Sequence, residues 1–321
     1  MSRPPGQPIS PEGFQADVRA GLTKPGQKEL YSKYLYDDLG TALFEAITLL
    51  PEYGLTRADL RLVSQHAGEL AAAVRNVSVV AELGSGSGEK AHRILPHFAG
   101  RPHLTYCPID LSGAALVRCQ RDLDDIPSLT IVPIQDSYLG GLAAATQLRR
   151  PGTSLLVLFL GSSIGNFEPA VAEDFLQTLR RNLQPGDVCL LSTDLVKDLD
   201  RMLAAYNDTL GVTAAFNLNL LGRINRELGA DFHQSRFRHE AWYNDTEQRI
   251  EMHLRSTADQ TVSINGQWRV ELKRGETIWT ESSYKFHTGQ VRSMSDRTGL
   301  DCEIQWVDQE WPFAQSVLRA R

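Results

Sequence analysis

The chain predicts an α/β protein: a doubly wound, Rossmann-like sheet with an additional α+β domain. Three observations predict it. Short apolar runs alternate with helical segments between about residues 58 and 196, a glycine-rich turn follows the first run, and the alternation stops after Lys197. The 321 residues suffice for one large domain or two modest ones. With 33 Lys+Arg against 39 Asp+Glu, a net charge of −6 and 42% hydrophobic residues, the composition is globular and has no basic block suited to nucleic acid. No run reaches the roughly 18 apolar residues that span a bilayer. Residues 1–10, with Pro4, Pro5 and Pro8, lack the basic-then-apolar pattern of an export signal, so a cytoplasmic protein is expected. Cys107, Cys119, Cys189 and Cys302 form no CxxC pair, and the eight histidines form no HxH or HExxH pattern, so neither disulfides nor a metal site is expected.

Residues 1–13 read as a disordered tail, and helical spacing follows in Phe14, Val18 and Leu22, then in Leu43, Phe44 and Ile47. Thr56 with Asp59 three residues on resembles a capping box, opening a helix that turns Leu60, Val63, His66, Leu70 and Val74 toward the sheet. Strands are expected at residues 77–83, 104–109, 129–134, 155–160 and 188–193, with helices at 89–95, 114–123, 142–148 and 171–183 between them. Apolar strands alternating with helices are what a parallel sheet covered on both faces requires. Beyond Lys197 come helical segments at 199–209 and 212–228, then period-two stretches at 237–242 and 250–255. Asn265-Gly266, between strands at 261–264 and 267–272, marks a hairpin. A strand at 276–286 closes this part, and a helix near 289–298 with strands at 302–307 and 313–318 returns to the core. An α+β insertion is therefore expected from about Lys197 to Lys285, and the segment Gly13–Tyr53, with no strand signal, is expected to cover the end of the sheet.

The first strand runs into Glu82-Leu83-Gly84-Ser85-Gly86-Ser87-Gly88-Glu89-Lys90. Glycines there allow the turn and let a ligand approach the backbone. Asp110 ends the second strand, about 22 residues past Gly88, where a carboxylate can accept from both ribose hydroxyls; Asp136 ends the third. Either aspartate alone reads as a helix cap. A glycine turn and two aspartates on three consecutive strand ends converge on the ligand crevice of such a sheet. A dinucleotide fingerprint would place glycine at 84, 86 and 89, but residue 89 is Glu and residue 90 is Lys. The broken spacing disfavours NAD and favours S-adenosylmethionine, whose amino-acid end is zwitterionic and which carries no phosphate.

Longer blocks then carry a resemblance. They are Leu49-Leu50-Pro51-Glu52-Tyr53, Leu158-Phe159-Leu160-Gly161-Ser162-Ser163-Ile164-Gly165-Asn166-Phe167, Ser192-Thr193-Asp194-Leu195-Val196-Lys197-Asp198, Gly211-Val212-Thr213-Ala214-Ala215-Phe216-Asn217, Asn225-Arg226-Glu227-Leu228, Arg249-Ile250-Glu251-Met252 and Thr280-Glu281-Ser282-Ser283-Tyr284-Lys285-Phe286. Over nearly the whole chain this resembles the histidine-specific Nα-methyltransferases of ergothioneine biosynthesis. The resemblance implies a class I methyltransferase core (58–196 and 286–321) with a substrate-binding domain (14–57 and 197–285), and trimethylation of the L-histidine α-amino group by S-adenosylmethionine to give hercynine and S-adenosylhomocysteine. It further implies a monomer acting on a small molecule, with no metal, nucleic acid or membrane partner.

Carried over by position, the resemblance implies a cofactor set of Tyr36, Gly84, Ser85, Gly86, Lys90, Asp110, Asp136 and Ser137. Lys90 would balance the cofactor carboxylate; Ser137 stands where the family carries Phe, which removes an adenine-stacking ring. The implied substrate set is Phe44, Tyr53, Gly161, Ser163, Asn166, Tyr206, Met252, Glu281 and Ser283, with catalytic positions at Tyr36, Tyr53, Asn166 and Tyr206. Amide and phenol dipoles can orient an amino-acid head group without holding its amine as an ammonium ion, whose lone pair is lost. Glu281 and Ser283 share a strand face and suit imidazole nitrogens. Gly54-Leu55 replaces the family's Tyr-Pro, a change expected to loosen the segment around it. Two other readings stay open on the same residues: action on another amino acid or to fewer methylations, and a ligand-binding protein without catalysis.

Overall fold

The computed structural model describes residues 10–98, 100–101 and 103–321. In chain order its elements are α1 (Pro11–Leu22), β1 (Lys28–Glu29), α2 (Asp38–Thr48), α3 (Gly54–Ala73), β2 (Val77–Leu83), α4 (Glu89–Ile94), β3 (Thr105–Asp110), α5 (Gly113–Asp122), β4 (Thr130–Ile131), β5 (Ile134–Gln135), α6 (Tyr138–Thr146), β6 (Ser154–Phe159), α7 (Pro169–Arg181) and β7 (Val188–Asp194). They continue with α8 (Leu199–Ala204), α9 (Val212–Leu228), β8 (Phe237–Asn244), β9 (Arg249–Ser256), β10 (Gln260–Ile264), β11 (Trp268–Leu272), β12 (Thr277–Tyr284), α10 (Thr288–Arg297), β13 (Leu300–Asp308) and β14 (Phe313–Ala320). Two compact units result: Leu55–Val196 with Lys285–Arg321, and the described residues before Leu55 with Lys197–Tyr284.

The first unit is a sheet of order β13-β14-β7-β6-β2-β3-β4, with β5 also pairing β3. Strands β2, β3, β4, β6 and β7 are parallel, whereas β14 runs antiparallel to both β7 and β13. Every residue of β2 and of β7 is buried, because helices cover both faces of the central strands. Pro169 opens α7 at its first turn, where a missing N–H costs nothing, and Ala172, Phe175, Leu176 and Leu179 bury its inner face. Phe175 meets Phe159 of β6 at 5.0 Å between ring centroids. Where the chain leaves β7 and later returns before α10, Leu195 and Phe286 form a parallel bridge. Lys285 Nζ lies 2.9 Å from Asp194 Oδ2 there, with both side chains almost wholly buried.

The second unit holds a sheet of order β1-β12-β9-β8 and a separate hairpin, β10-β11. Asn265 (φ 52°) and Gly266 (φ 64°) are both left-handed at the hairpin tip, as a two-residue turn matched to strand twist demands. Helix α9 is bounded by left-handed Gly211 and Gly229, and its first turn is capped by Asp208, which accepts from Val212 N–H (2.9 Å) and Thr213 N–H (2.7 Å). Phe216, Leu220 and Ile224 are buried on it.

Several expectations are corrected. Residues 1–9 of the expected disordered tail lie outside the described residues, but residues 11–13 are the first turn of α1, with Pro11 at its start and Ser10 accepting from Gly13 N–H at 3.0 Å. The strand expected at 129–134 is split into β4 and β5 by Pro133, which cannot donate to a ladder. Helix α6 starts at Tyr138, earlier than expected, because Ser137 caps it. Helix α8 ends at Ala204, short of the expected residue 209. Thr56 and Asp59 form no capping box: α3 already begins at Gly54, and Asp59 is fully buried. The buried face of α3 carries Leu55, Ala58, Leu62, Val63, Ala67, Leu70 and Val74. Leu60 and His66 are half-buried, and the His66 ring lies flat on Trp306 at 4.6 Å.

Candidate active site

The doubly wound unit carries the expected cofactor residues except Tyr36, which lies in the second unit. Gly84, Gly86 and Gly88 all have positive φ (75°, 53° and 78°), so the turn after β2 needs glycine at each. Gly84 N–H donates to Ile109 O (2.8 Å), and Gly86 N–H donates to Asp110 Oδ2 (3.2 Å), tying the turn to the end of β3. Asp110 Oδ1 accepts from Ser112 N–H at 2.9 Å. Burial raises the Asp110 pKa, and the N–H groups of Ser112, Gly86 and Leu111 oppose the rise. A Cβ on Gly86 would meet only open space, whereas one on Gly88 would lie 2.6 Å from Cys119 Sγ. The outer glycine thus leaves room for a ligand and the inner one packs on α5.

Beneath the turn, Glu82 is 2% exposed and accepts from the Tyr106 hydroxyl. Burial pushes its carboxyl up to about 7, against the pull of that hydrogen bond and of Lys90. Asp136 Oδ1 accepts from Ser137 N–H at 2.6 Å. Ser137 Oγ accepts from Gly140 N–H (3.1 Å), so this departure from the family's Phe works as the cap of α6.

A second turn follows β6. Gly161 (φ 75°) and Ser162 (φ 59°) are left-handed and lead into the short 3-10 turn Ser163–Asn166. Ser163 Oγ donates to Leu160 O (3.1 Å), and Ser162 Oγ accepts from Asp194 N–H (2.8 Å). Asp59 holds this turn from below. Its Oδ2 accepts from Gly161 N–H (2.8 Å) and lies 3.3 Å from Lys90 Nζ; its Oδ1 accepts from Ser192 Oγ and Gln315 Nε2, each at 2.6 Å. Gly84, Ser85, Gly86, Lys90, Asp110, Asp136, Ser137, Gly161, Ser163 and Asn166 therefore lie on this unit. Asp59 was missed as a positioning residue, although its phase gave a signal: with Leu55, Ala58, Leu62 and Val63 it lies on the apolar face of α3.

In the second unit the remaining expected residues form a connected set. Tyr36 packs edge-on to Phe44 (5.5 Å) and to Phe216 (5.4 Å), Phe44 meets Tyr53 at 6.2 Å, and Tyr53 meets Tyr206 at 6.3 Å. The Tyr206 hydroxyl is 2.7 Å from Ser283 Oγ. Across the sheet, Glu281 of β12 stands directly opposite Met252 of β9, with a register shift after Trp279, and Ser283 stands opposite Ile250 on the same face. Glu281 and Met252 are both buried. Phe216, unassigned in the sequence, completes the aromatic group; its signal was its place in the Gly211–Asn217 block.

The fold and the glycine turn define the class. A doubly wound parallel sheet whose edge is an antiparallel hairpin, with an acidic acceptor at the second strand end and a turn that breaks the pyrophosphate spacing, is that of an S-adenosylmethionine-dependent methyltransferase. The residues fit such a cofactor: open space faces Gly86, Asp110 can take ribose hydroxyls, and Lys90, on the helix that follows the glycine turn, places its Nζ by Gly161 and 3.3 Å from Asp59 Oδ2. The chain matches the model of the histidine-specific, S-adenosylmethionine-dependent methyltransferases over residues 14–320, and it belongs to that family. It is 38% identical to the histidine N-alpha-methyltransferase of Mycolicibacterium smegmatis, covering 95% of this chain and 94% of that one. It is 39% identical to the histidine N-alpha-methyltransferase of Mycobacterium tuberculosis over the same shares. An L-tryptophan methyltransferase of Psilocybe serbica is 23% identical, over 96% of this chain and 93% of that one. Among the described residues no helix is long and apolar enough to cross a membrane, and no group of three or more His, Cys, Asp or Glu is placed to hold a metal.

Proposed function

We propose that the protein transfers three methyl groups from S-adenosylmethionine to the α-amino group of L-histidine, giving hercynine for ergothioneine biosynthesis. The observation that carries this reading is the face shared by Met252, Glu281 and Ser283, joined through Ser283 to Tyr206, in a chain 38–39% identical to two histidine Nα-methyltransferases. A buried carboxylate and a hydroxyl two residues apart can bond the two imidazole nitrogens. An indole has only one N–H and would leave the carboxylate poorly matched, a strong ground for discrimination.

The sulfonium of the bound cofactor supplies an electrophilic carbon. The chain's own residues then need only hold a neutral amine in line and exclude water, without a covalent nucleophile or a metal. In this reading Gly84, Ser85, Gly86, Asp110, Asp136 and Ser137 hold the nucleoside, Lys90 faces the cofactor carboxylate, and Tyr36 is a cofactor-binding and catalytic residue. Tyr53, Asn166 and Tyr206 orient the head group, Gly161 and Ser163 belong to the substrate set, and Phe44 and Met252 supply apolar walls. Phenol and amide partners leave the amine free to deprotonate, as each transfer requires. The reading extends to a cytoplasmic monomer.

Mass spectrometry tests it: purified protein, S-adenosylmethionine and an equimolar mixture of amino acids. Histidine alone gaining three methyl groups is the expected result. Methylation of another amino acid would overturn the assignment of Glu281 and Met252 while leaving the cofactor unit intact, and no product at all would leave a binding protein.

A further inference from the structure

Tyr206 sits in the turn that follows α8, where its N–H donates to Leu203 O at 3.1 Å. A relay of three side and main chains ties it to the sheet. The starting point is His253 O, a carbonyl, which can only accept. Asn217 on α9 lies 3.2 Å from it through Nδ2, and this fixes which way the amide points. The same Nδ2 is 2.9 Å from Nδ1 of His239 on β8. Because the amide nitrogen donates, Nδ1 must accept, and the ring proton is left on Nε2. That nitrogen lies 2.8 Å from Tyr206 O and donates to it. The tautomer of a buried histidine is thus set by the carbonyl of a neighbouring strand, and it delivers one donor to the backbone of Tyr206. Burial also lowers the His239 pKa, which favours the neutral ring that the relay needs.

His239 lies on the sheet face that carries Met252, Glu281 and Ser283: it pairs with Leu254, one face-step from Met252, which pairs with Glu281. Tyr206 is therefore held to this face twice, by its hydroxyl at Ser283 and by its carbonyl at His239. We propose that His239, oriented by Asn217, is a positioning residue that sets how the Tyr206 hydroxyl is presented to the amino-acid substrate. The inference rests on the proposed placing of Tyr206 at the substrate. It makes Tyr206 part of the sheet's geometry rather than a free loop side chain.

The test is a substitution series with separate readouts for histidine and cofactor. His239→Gln puts an amide N–H near the Nε2 position and keeps the donor to Tyr206, whereas His239→Asn reaches only the Nδ1 position and loses it. His239→Asn is expected to raise KM for histidine about tenfold with the S-adenosylmethionine Kd within about twofold of the parent, and His239→Gln to stay within about threefold on both. Coupling is read in the Tyr206→Phe background: there His239→Asn should add less than about twofold, because its effect runs through the missing hydroxyl. Equal losses in the Asn and Gln variants, or an effect of about tenfold in the parent that recurs undiminished in the Tyr206→Phe background, would overturn the inference. An unchanged KM in Tyr206→Phe alone would instead overturn the placing of Tyr206 on which the inference rests. Should His239→Asn fail to fold, Asn217→Ser removes the orienting amide and is expected to give the same selective rise in KM; no rise there also sinks the inference.

Discussion

Asp59 offers the sharpest test of how the doubly wound unit is held together. Its side chain is 0% exposed, accepts from Gly161 N–H, Ser192 Oγ and Gln315 Nε2, and lies 3.3 Å from Lys90 Nζ. Replacing it by Asn keeps the shape but leaves one oxygen and introduces an NH2 group. Placed toward Gly161 and Lys90, that group faces two obligate donors. Placed toward Ser192 and Gln315, it is accommodated in part: the serine hydroxyl can turn to accept, while Gln315 Nε2, held by its 3.1 Å bond to the main-chain O of residue 59, gives up only its bond to the side chain. The second arrangement loses the charge-assisted character of the remaining bonds, at about 1.5–3 kcal/mol in total. Asp59→Leu offers no side-chain acceptor and strands the Gly161 N–H and the buried Ser192 hydroxyl, at about 1–3 kcal/mol each; Gln315 Nε2 keeps the main-chain O of residue 59, and Lys90, 25% exposed, can turn to water. Urea titration followed by circular dichroism should therefore rank the parent above Asp59→Asn and Asp59→Leu lowest, about 2–6 kcal/mol below the parent. Losses under about 1 kcal/mol in both variants would refute the reasoning, for they would mean that the carboxylate organises nothing.

Three further expectations follow from the same geometry. Glu82 has a folded-state carboxyl near 7 against an ordinary 4.5, so the folded chain keeps a proton that the unfolded chain releases; stability is greatest below 4.5 and falls as pH rises through 7. Glu82→Gln should flatten that slope, on the order of 3 kcal/mol across the window, and parallel melting-temperature profiles for the two proteins between about pH 5 and 8 would refute it. Gly88→Ala places a Cβ 2.6 Å from Cys119 Sγ and 3.2 Å from Leu123 Cδ1 at φ 78°, and should cost about 2–5 kcal/mol of stability, whereas Gly86→Ala meets open space and should cost about 1–2 kcal/mol while weakening cofactor binding in calorimetry. Glu281→Ala should raise KM for histidine tenfold or more, the worth of a charge-assisted hydrogen bond of about 1.5–3 kcal/mol, with cofactor affinity unchanged; an unchanged KM removes Glu281 from the substrate.

The central strands were legible because burial on both faces leaves only apolar residues, as in Val77–Leu83. The Asn265-Gly266 hairpin was legible for a local reason too, since few residues tolerate two left-handed positions in a row. Asp59 shows where reading stops. The same residue satisfies a capping-box spacing and the buried phase of α3, and its partners at residues 161, 192 and 315 are brought together only by the folded sheet. Pro133 and Ser137 were each visible, but their consequences, a broken strand and a capped helix, needed the register of β3 and the start of α6. In the candidate site the glycine turn and Asp110 are neighbours through consecutive strands and announce themselves. The tyrosines do not: Tyr206 finds Ser283 across 77 residues, and only the resemblance to a family singled them out.

The bridge between Leu195 and Phe286, with the buried Lys285–Asp194 pair beside it, means that the long excursion between them begins and ends at one spot. Joining two points already side by side asks little extra chain entropy of the sheet, however long the excursion grows. The excursion thus enters and leaves the sheet through one seam, the bridge and the ion pair, while its own strand β12 pairs with β1 from the start of the chain.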